Sequence, residues 1–168
     1  MVITMSTKRL TLTALLTAVA LMIFILEAQL PPILPIPGIK PGLANIITLL
    51  ALVWLGKKEA LLTLILRIVL GCIFTGNLVS LMFSLAGGIA AYIFTAVMLK
   101  ISNNITASSI VGALGHNIGQ IFTAIFLTNT PQIIHYLPAL AISGIITGLF
   151  TGIISQLIIK RFGDLKCD

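Results

Sequence analysis

Lys8-Arg9-Leu10-Thr11-Leu12-Thr13-Ala14-Leu15-Leu16-Thr17-Ala18-Val19-Ala20-Leu21-Met22-Ile23-Phe24-Ile25-Leu26-Glu27-Ala28-Gln29 decides the fold class. Two cations precede an apolar run of about 20 residues, the length a helix needs to cross the hydrocarbon core of a bilayer. A secretory signal peptide also opens with cations and an apolar stretch. This run instead continues to Gln29 and meets Pro31-Pro32 rather than a small-residue cleavage site, so it reads as a retained first helix.

The rest of the chain has the same character. Of 168 residues 58% are hydrophobic and 8% charged, with a mean hydropathy of +1.18, whereas an ordinary soluble domain carries about 25% charged residues. A soluble globular protein is excluded. Six crossings use roughly 120 residues, which leaves room for ends and loops but no second domain. Residues 1–168 therefore read as a single integral membrane domain of all-α class, a polytopic bundle of six transmembrane helices.

Hydropathy and breakers place those helices at about 10–29, 43–55, 59–70, 78–99, 105–128 and 133–159. Five prolines between positions 30 and 42 forbid helix there and predict a stiff external segment. Gly56-Lys57-Lys58 turns the chain between the second and third helices, both shorter than a full span. The stretch 71–77 breaks regularity, and with the proline-rich segment it is expected to gate the outer face. No internal repeat of the inverted-transporter kind is visible.

Charge tests the layout independently. Ten Lys and Arg against four Asp and Glu give a net +6, which in a membrane protein signals topology rather than nucleic-acid binding, because cytoplasmic loops retain Lys and Arg. With the N-terminus inside, the inner segments hold Lys8, Arg9, Lys57, Lys58, Lys100, Lys160, Arg161 and Lys166, and the outer loops hold only Lys40. Both termini are expected in the cytoplasm. Cys72 and Cys167 then fall at opposite faces, so no disulfide or metal pair follows.

Small residues four apart share a helix face and admit close approach of another helix, the main route to association within lipid. Ala14 and Ala18 form such a pair on the first helix, open to packing within the bundle or docking of a partner. Gly115/Gly119 and Gly144/Gly148/Gly152 read as packing contacts inside the bundle.

Ionisable residues within apolar helices cost about 2.5–3.5 kcal/mol near mid-bilayer and tend to be functional. Glu27 lies about 27 Å beyond Arg9, near the outer surface, and Arg67 about 15 Å beyond Lys57, near the middle. His116 and Gln120 share one face at similar depth, with Asn117 beside them. With Lys40, Asn45 and Asn77 they define an expected outward-opening substrate pocket, in which a guanidinium favours an anionic or carbonyl-bearing ligand. A structural ion pair of Glu27 with Arg67, and polar bonding between helices for His116, Asn117 and Gln120, are the plainer alternatives.

The chain has no P-loop, no carboxylate pair suited to Mg²⁺-diphosphate chemistry and no His-carboxylate metal cluster. No cofactor and no enzymatic activity are expected of this chain, and any catalysis or energy source must come from another polypeptide.

Thr11 to Leu21, the proline-rich first loop and six helices in fewer than 200 residues resemble the substrate-binding S components of energy-coupling factor (ECF) transporters. More specifically, Pro37-Gly38-Ile39-Lys40-Pro41-Gly42-Leu43-Ala44-Asn45, Arg67-x-x-x-Gly71 with Gly76-Asn77, and Gly115-His116-Asn117-x-Gly119-Gln120 resemble the Gx transporter family, also labelled heptaprenyl diphosphate synthase component I. The likeness spans about residues 8–161. It implies an S component-like bundle that takes a small molecule from outside and docks, through Ala14 and Ala18, on a membrane T protein carrying two cytoplasmic ATPase subunits. It further implies a multi-pass protein of the plasma membrane of a Gram-positive bacterium, with a vitamin or an isoprenoid-, quinone- or flavin-related ligand. Relatives linked with extracellular electron transfer imply an alternative, a non-transporting subunit partnered by a membrane redox or prenyl-transfer protein. Because chain-elongating prenyl synthases need Asp-rich Mg²⁺ sites, the synthase label would describe at most a partner of an enzyme.

Overall fold

The computed structural model describes residues 7–29, 42–76 and 78–163. Lys40 and most of the proline-rich segment, Asn77, Asp164, Lys166, Cys167 and Asp168 lie outside the described residues. Six α-helices follow one another with no strand among the described residues: α1 (Thr7–Gln29), α2 (Ala44–Trp54), α3 (Lys57–Thr75), α4 (Leu78–Ser102), α5 (Ile105–Thr128) and α6 (Leu137–Phe162). A 3₁₀ turn, Pro131–Tyr136, leads into α6.

Four segments are long and apolar enough to cross a membrane: Thr7–Glu27, Leu78–Ser102, Ile105–Thr128 and Pro131–Phe162. Their outward surfaces are apolar, with Met22 and Leu26 on α1, Leu78 on α4, Phe126 on α5 and Ile146 on α6 all exposed. In lipid such surface is already solvated and needs no covering.

Helix α3 corrects the sequence reading. The expected break at 71–77 is helical as far as Thr75, giving 19 residues rather than a helix ending near Leu70. Gly71 does not interrupt it because the ring of Phe24 on α1 lies where a Cβ would stand. The helix stops at Gly76, whose left-handed φ of 65° closes it. The stretch expected to gate the outer face together with the proline-rich segment is thus helical as far as Thr75.

The start of α6 is also shifted. A helix from 133 was expected, but the chain makes the 3₁₀ turn first, and Pro138 falls in the opening turn of the helix, where no backbone donor is needed. At the turn between α2 and α3, Gly56 has a φ of 101° that an L side chain would strain.

Two groups of helices make up the bundle. Helices α4, α5 and α6 pack most closely, α4 on α5 and α5 on α6; α1 packs on α3, and α2 sits between the groups, touching α1, α3, α4 and α6. Central placement explains why α2 is apolar almost all round: Ile46, Ile47, Leu49, Leu50 and Ala51 are all buried, on more than one face. One core cluster joins Leu16 and Ala20 of α1 to Ile47, Leu50 and Trp54 of α2, and a second joins Phe24 to Leu64, Ile68 and Cys72.

Glycines set the approach of α4, α5 and α6. A Cβ on Gly119 would lie 2.6 Å from the Ala86 carbonyl oxygen, and one on Gly148 would lie 2.6 Å from Ile110 Cα. Real Cβ atoms do not come so near, so the backbones meet because these side chains are absent, as the glycine spacing predicts.

The charged end of the bundle follows from three contacts. Arg9 Nη2 donates to the Leu55 carbonyl at 3.0 Å, the Trp54 indole donates to the Gly163 carbonyl at 3.1 Å, and the Tyr92 hydroxyl donates to the Lys57 carbonyl at 2.8 Å. The start of α1, the α2–α3 turn and the end of α6 therefore lie together. Arg9 also stands 3.7 Å from Glu59, a part-exposed pair worth at most about 1 kcal/mol.

Candidate ligand-binding site

The expected polar set divides into two connected groups around the N-terminal turn of α2. On one side, Glu27 turns inward from α1 with only 6% exposure. Its carboxylate accepts from the backbone N–H of Leu43 at 2.6 Å and of Ala44 at 3.4 Å. A helix leaves its first N–H groups without intrahelical partners, so an anion there satisfies them and meets the positive end of the helix dipole.

Arg67 approaches the same turn from α3 and is 4% exposed. Its Nη2 donates to Asn45 Oδ1 at 2.6 Å, and Glu27 supplies the opposing charge that acts on it coulombically. Arg67 Nε has no hydrogen-bond partner among the described residues. Glu27 thus ties α1 to the start of α2, and Arg67 ties α3 to α2 through Asn45.

On the other side of α2 lies a polar cleft of about 40 Å³. Asn45 and Leu49 of α2 form one wall, Ala91 and Thr95 of α4 the next. From α5 come Ser109, Gly112, His116 and Asn117, and from α6 Thr147 and Thr151. Hence Asn45, His116 and Asn117 line the cleft. Glu27, Arg67 and Gln120 do not, although Arg67 reaches its wall through Asn45.

Helix α5 places its polar residues by close packing on small neighbours. Cβ positions built on Gly87 of α4 would meet the His116 ring and Gln120 Cγ, so both side chains lie against that glycine, as their four-residue spacing requires. Gln120 is 7% exposed. Asn117 reaches α6 and donates to the Leu140 carbonyl at 2.6 Å, beside Gly144. It acts as interhelical glue while also facing the cleft.

Sequence reasoning passed over the hydroxyls. Thr147 and Thr151 donate to the carbonyls of Ser143 and Thr147 one turn back, at 3.0 and 2.9 Å. Ser109 and Thr151 pair across α5 and α6 at 2.8 Å. A membrane-helix hydroxyl that satisfies itself on its own backbone is unremarkable in sequence. The available signal was the position of Thr147 and Thr151 within the Gly144–Gly152 stripe, which fixes that face against α5.

Ala14 and Ala18 lie apart from all of this. They are exposed on α1, while Thr13, Leu16, Thr17 and Ala20 on the opposite face are buried against the bundle. Packing among the described residues does not use the Ala14/Ala18 face. Among the described residues no group of three or more His, Cys, Asp or Glu is placed to hold a metal ion.

A model of the family described as heptaprenyl diphosphate synthase component I matches residues 16–158. The chain belongs to that family. The match takes in α2 to α5 whole, most of α1 and most of α6, so the cleft, the Glu27–Arg67–Asn45 cluster and Ala18 all lie within the family's shared region. No curated protein and no solved structure matches the chain.

Proposed function

We propose that this member of the component I family is a substrate-binding membrane subunit of the S-component kind, which takes up a small molecule in the cleft and delivers it with energy supplied by partner proteins. Both termini face the cytoplasm and all six α-helices are embedded, α2 as a short central helix. The chain does no catalysis of its own. Its partners are a membrane T protein with two ATPase subunits, in the plasma membrane of a Gram-positive bacterium.

The observation that carries this reading is the free Ala14/Ala18 face. A small-residue pair on a membrane helix admits close helix approach, and here Ala14 and Ala18 are exposed among the described residues. The polar cleft on the far side of α2 supplies the other half of the reading. Helices packed against lipid alone need few polar bonds, whereas Asn45, His116, Asn117 and four hydroxyls meet here.

Ala14→Glu or Ala18→Glu adds a charge to an exposed face and leaves the bundle folded. Each is expected to abolish co-purification of the T protein and ATPases while ligand binding persists. Retained association, with loss of ligand instead, overturns the assignment of this face.

The family description favours a second reading, a membrane partner of a prenyl-transferring assembly; a redox assembly is the other form of this non-transporting alternative. Co-purification separates the two: a prenyl-transfer or electron-transfer protein without the ATPase module selects the second.

A further inference from the structure

Cations far apart in sequence meet at the charged end of the bundle. Lys8 stands at the start of α1, Lys57 and Lys58 open α3, and Lys160 and Arg161 close α6; all five are exposed. The bonds from Arg9 to the Leu55 carbonyl and from Trp54 to the Gly163 carbonyl draw these three segments onto the end of α2. Their charge is not cancelled locally. Among the described residues the carboxylate at this end is Glu59, which is 8% exposed and stands 3.7 Å from Arg9. The C-terminal tail adds Asp164 and Asp168 but also Lys166, so cations outnumber carboxylates even with all of these counted.

Helix stability does not account for the whole set. Lys160 and Arg161 lie at the end of α6, where the helix dipole favours cations, but Lys57 and Lys58 lie in the first turn of α3, where it opposes them. The cations also border apolar surface. Four-residue spacing places Leu62 on the same face as Lys58 and Leu157 on the same face as Arg161, and both leucines are exposed. Charge at the helix ends thus stands directly beside a hydrocarbon wall. A free anion or an acidic protein surface matches the cations alone, whereas an anionic lipid matches both.

We propose that the charged end of the bundle is a binding surface for anionic phospholipids. Their headgroups lie on Lys57, Lys58, Lys160 and Arg161, and their chains run along Leu62 and Leu157. Basic clusters beside membrane helices attract such headgroups by about fivefold in affinity per cation. The surface is separate from the cleft and requires neither a transported ligand nor partner proteins, so it stands or falls independently of the transporter reading.

The test uses the full chain in phosphatidylcholine vesicles containing a trace of spin-labelled phosphatidylglycerol or of spin-labelled phosphatidylcholine. The fraction of each label immobilised at the protein is read by electron paramagnetic resonance. Because the signal averages over the whole lipid shell, the preference for phosphatidylglycerol should be at least about twofold at low salt, below the fivefold of one cation at its own site. It should shrink as sodium chloride screens the charges. Replacing Lys57, Lys58, Lys160 and Arg161 together by Gln should abolish it, while Lys100→Gln at the end of α4 should leave most of it.

Equal immobilisation of the two lipids by the unaltered chain overturns the proposal, whether or not the fourfold variant folds. A preference that survives the fourfold variant also overturns it, as does an equal loss in Lys100→Gln, which would show undirected charge rather than a surface. Retention of soluble polyglutamate by the same four cations, with no lipid preference, would assign this end to an acidic protein instead.

Discussion

Arg67→Met tests what the buried guanidinium does. Methionine keeps much of the side-chain length but removes the donor held 2.6 Å from Asn45 Oδ1 and the charge opposed by Glu27. Both Arg67 and Glu27 are nearly sealed, at 4% and 6% exposure, and removing one partner of a buried pair costs roughly 3–5 kcal/mol. Glu27 keeps the Leu43 and Ala44 N–H groups, so the cost belongs at the lower end, about 3 kcal/mol, a more than hundredfold shift in the unfolding equilibrium. Trp54 is the only tryptophan and lies buried in α2, so its fluorescence during denaturation in mixed micelles follows the helix at issue. Glu27→Gln alone should destabilise comparably by leaving a buried cation unopposed. The double variant retains no uncompensated charge, and its cost should fall short of the sum by about 0.5–3 kcal/mol. Strict additivity, or a cost below 1 kcal/mol for Arg67→Met where roughly 3–5 is expected, would refute the account of Glu27 and Arg67 as one unit.

Gly148→Leu should force α5 and α6 apart, since even a Cβ there would stand 2.6 Å from Ile110 Cα; overpacking of this kind costs about 1–3 kcal/mol, while Phe150→Ala on the exposed face of α6 should leave the same unfolding curve unmoved. Topology is read by adding an impermeant maleimide to intact cells carrying Asn129→Cys or Ser102→Cys in the background without native cysteines. Only the first should be labelled, and the opposite pattern would reverse the orientation drawn from Lys and Arg.

The fold was legible where the chain is simple. Helices α4 and α5 are long, apolar and bounded by breakers, and α5 runs over the expected 105–128, its start closed by Asn104, whose side chain accepts from the Ala107 N–H at 3.0 Å. Helix α3 was cut short because Gly71 reads as a breaker in isolation. Whether a glycine ends a helix or admits a neighbour depends on what lies opposite, and Phe24, 47 positions away, is not visible from local pattern. The glycine stripes escaped this ambiguity because their four-residue repeat itself encodes one face.

Of the polar set expected from the sequence, Asn45, His116 and Asn117 meet at the cleft and Glu27, Arg67 and Gln120 do not, an arrangement that was not legible in the sequence. Depth along straight helices brought Glu27, Asn45, Arg67, His116 and Asn117 to related levels, yet depth says nothing about which side of α2 each occupies. Arg67 illustrates the difference. A guanidinium only donates, so by holding Asn45 Oδ1 at 2.6 Å it orients the amide of a residue that lines the cleft. Arg67 would thus influence recognition without touching the ligand, by setting how the Asn45 amide is presented to it. An anionic ligand attracted directly to Arg67 would have to displace Asn45 and enter beside the Glu27 carboxylate, two costs that a ligand bonded to Asn45 does not incur.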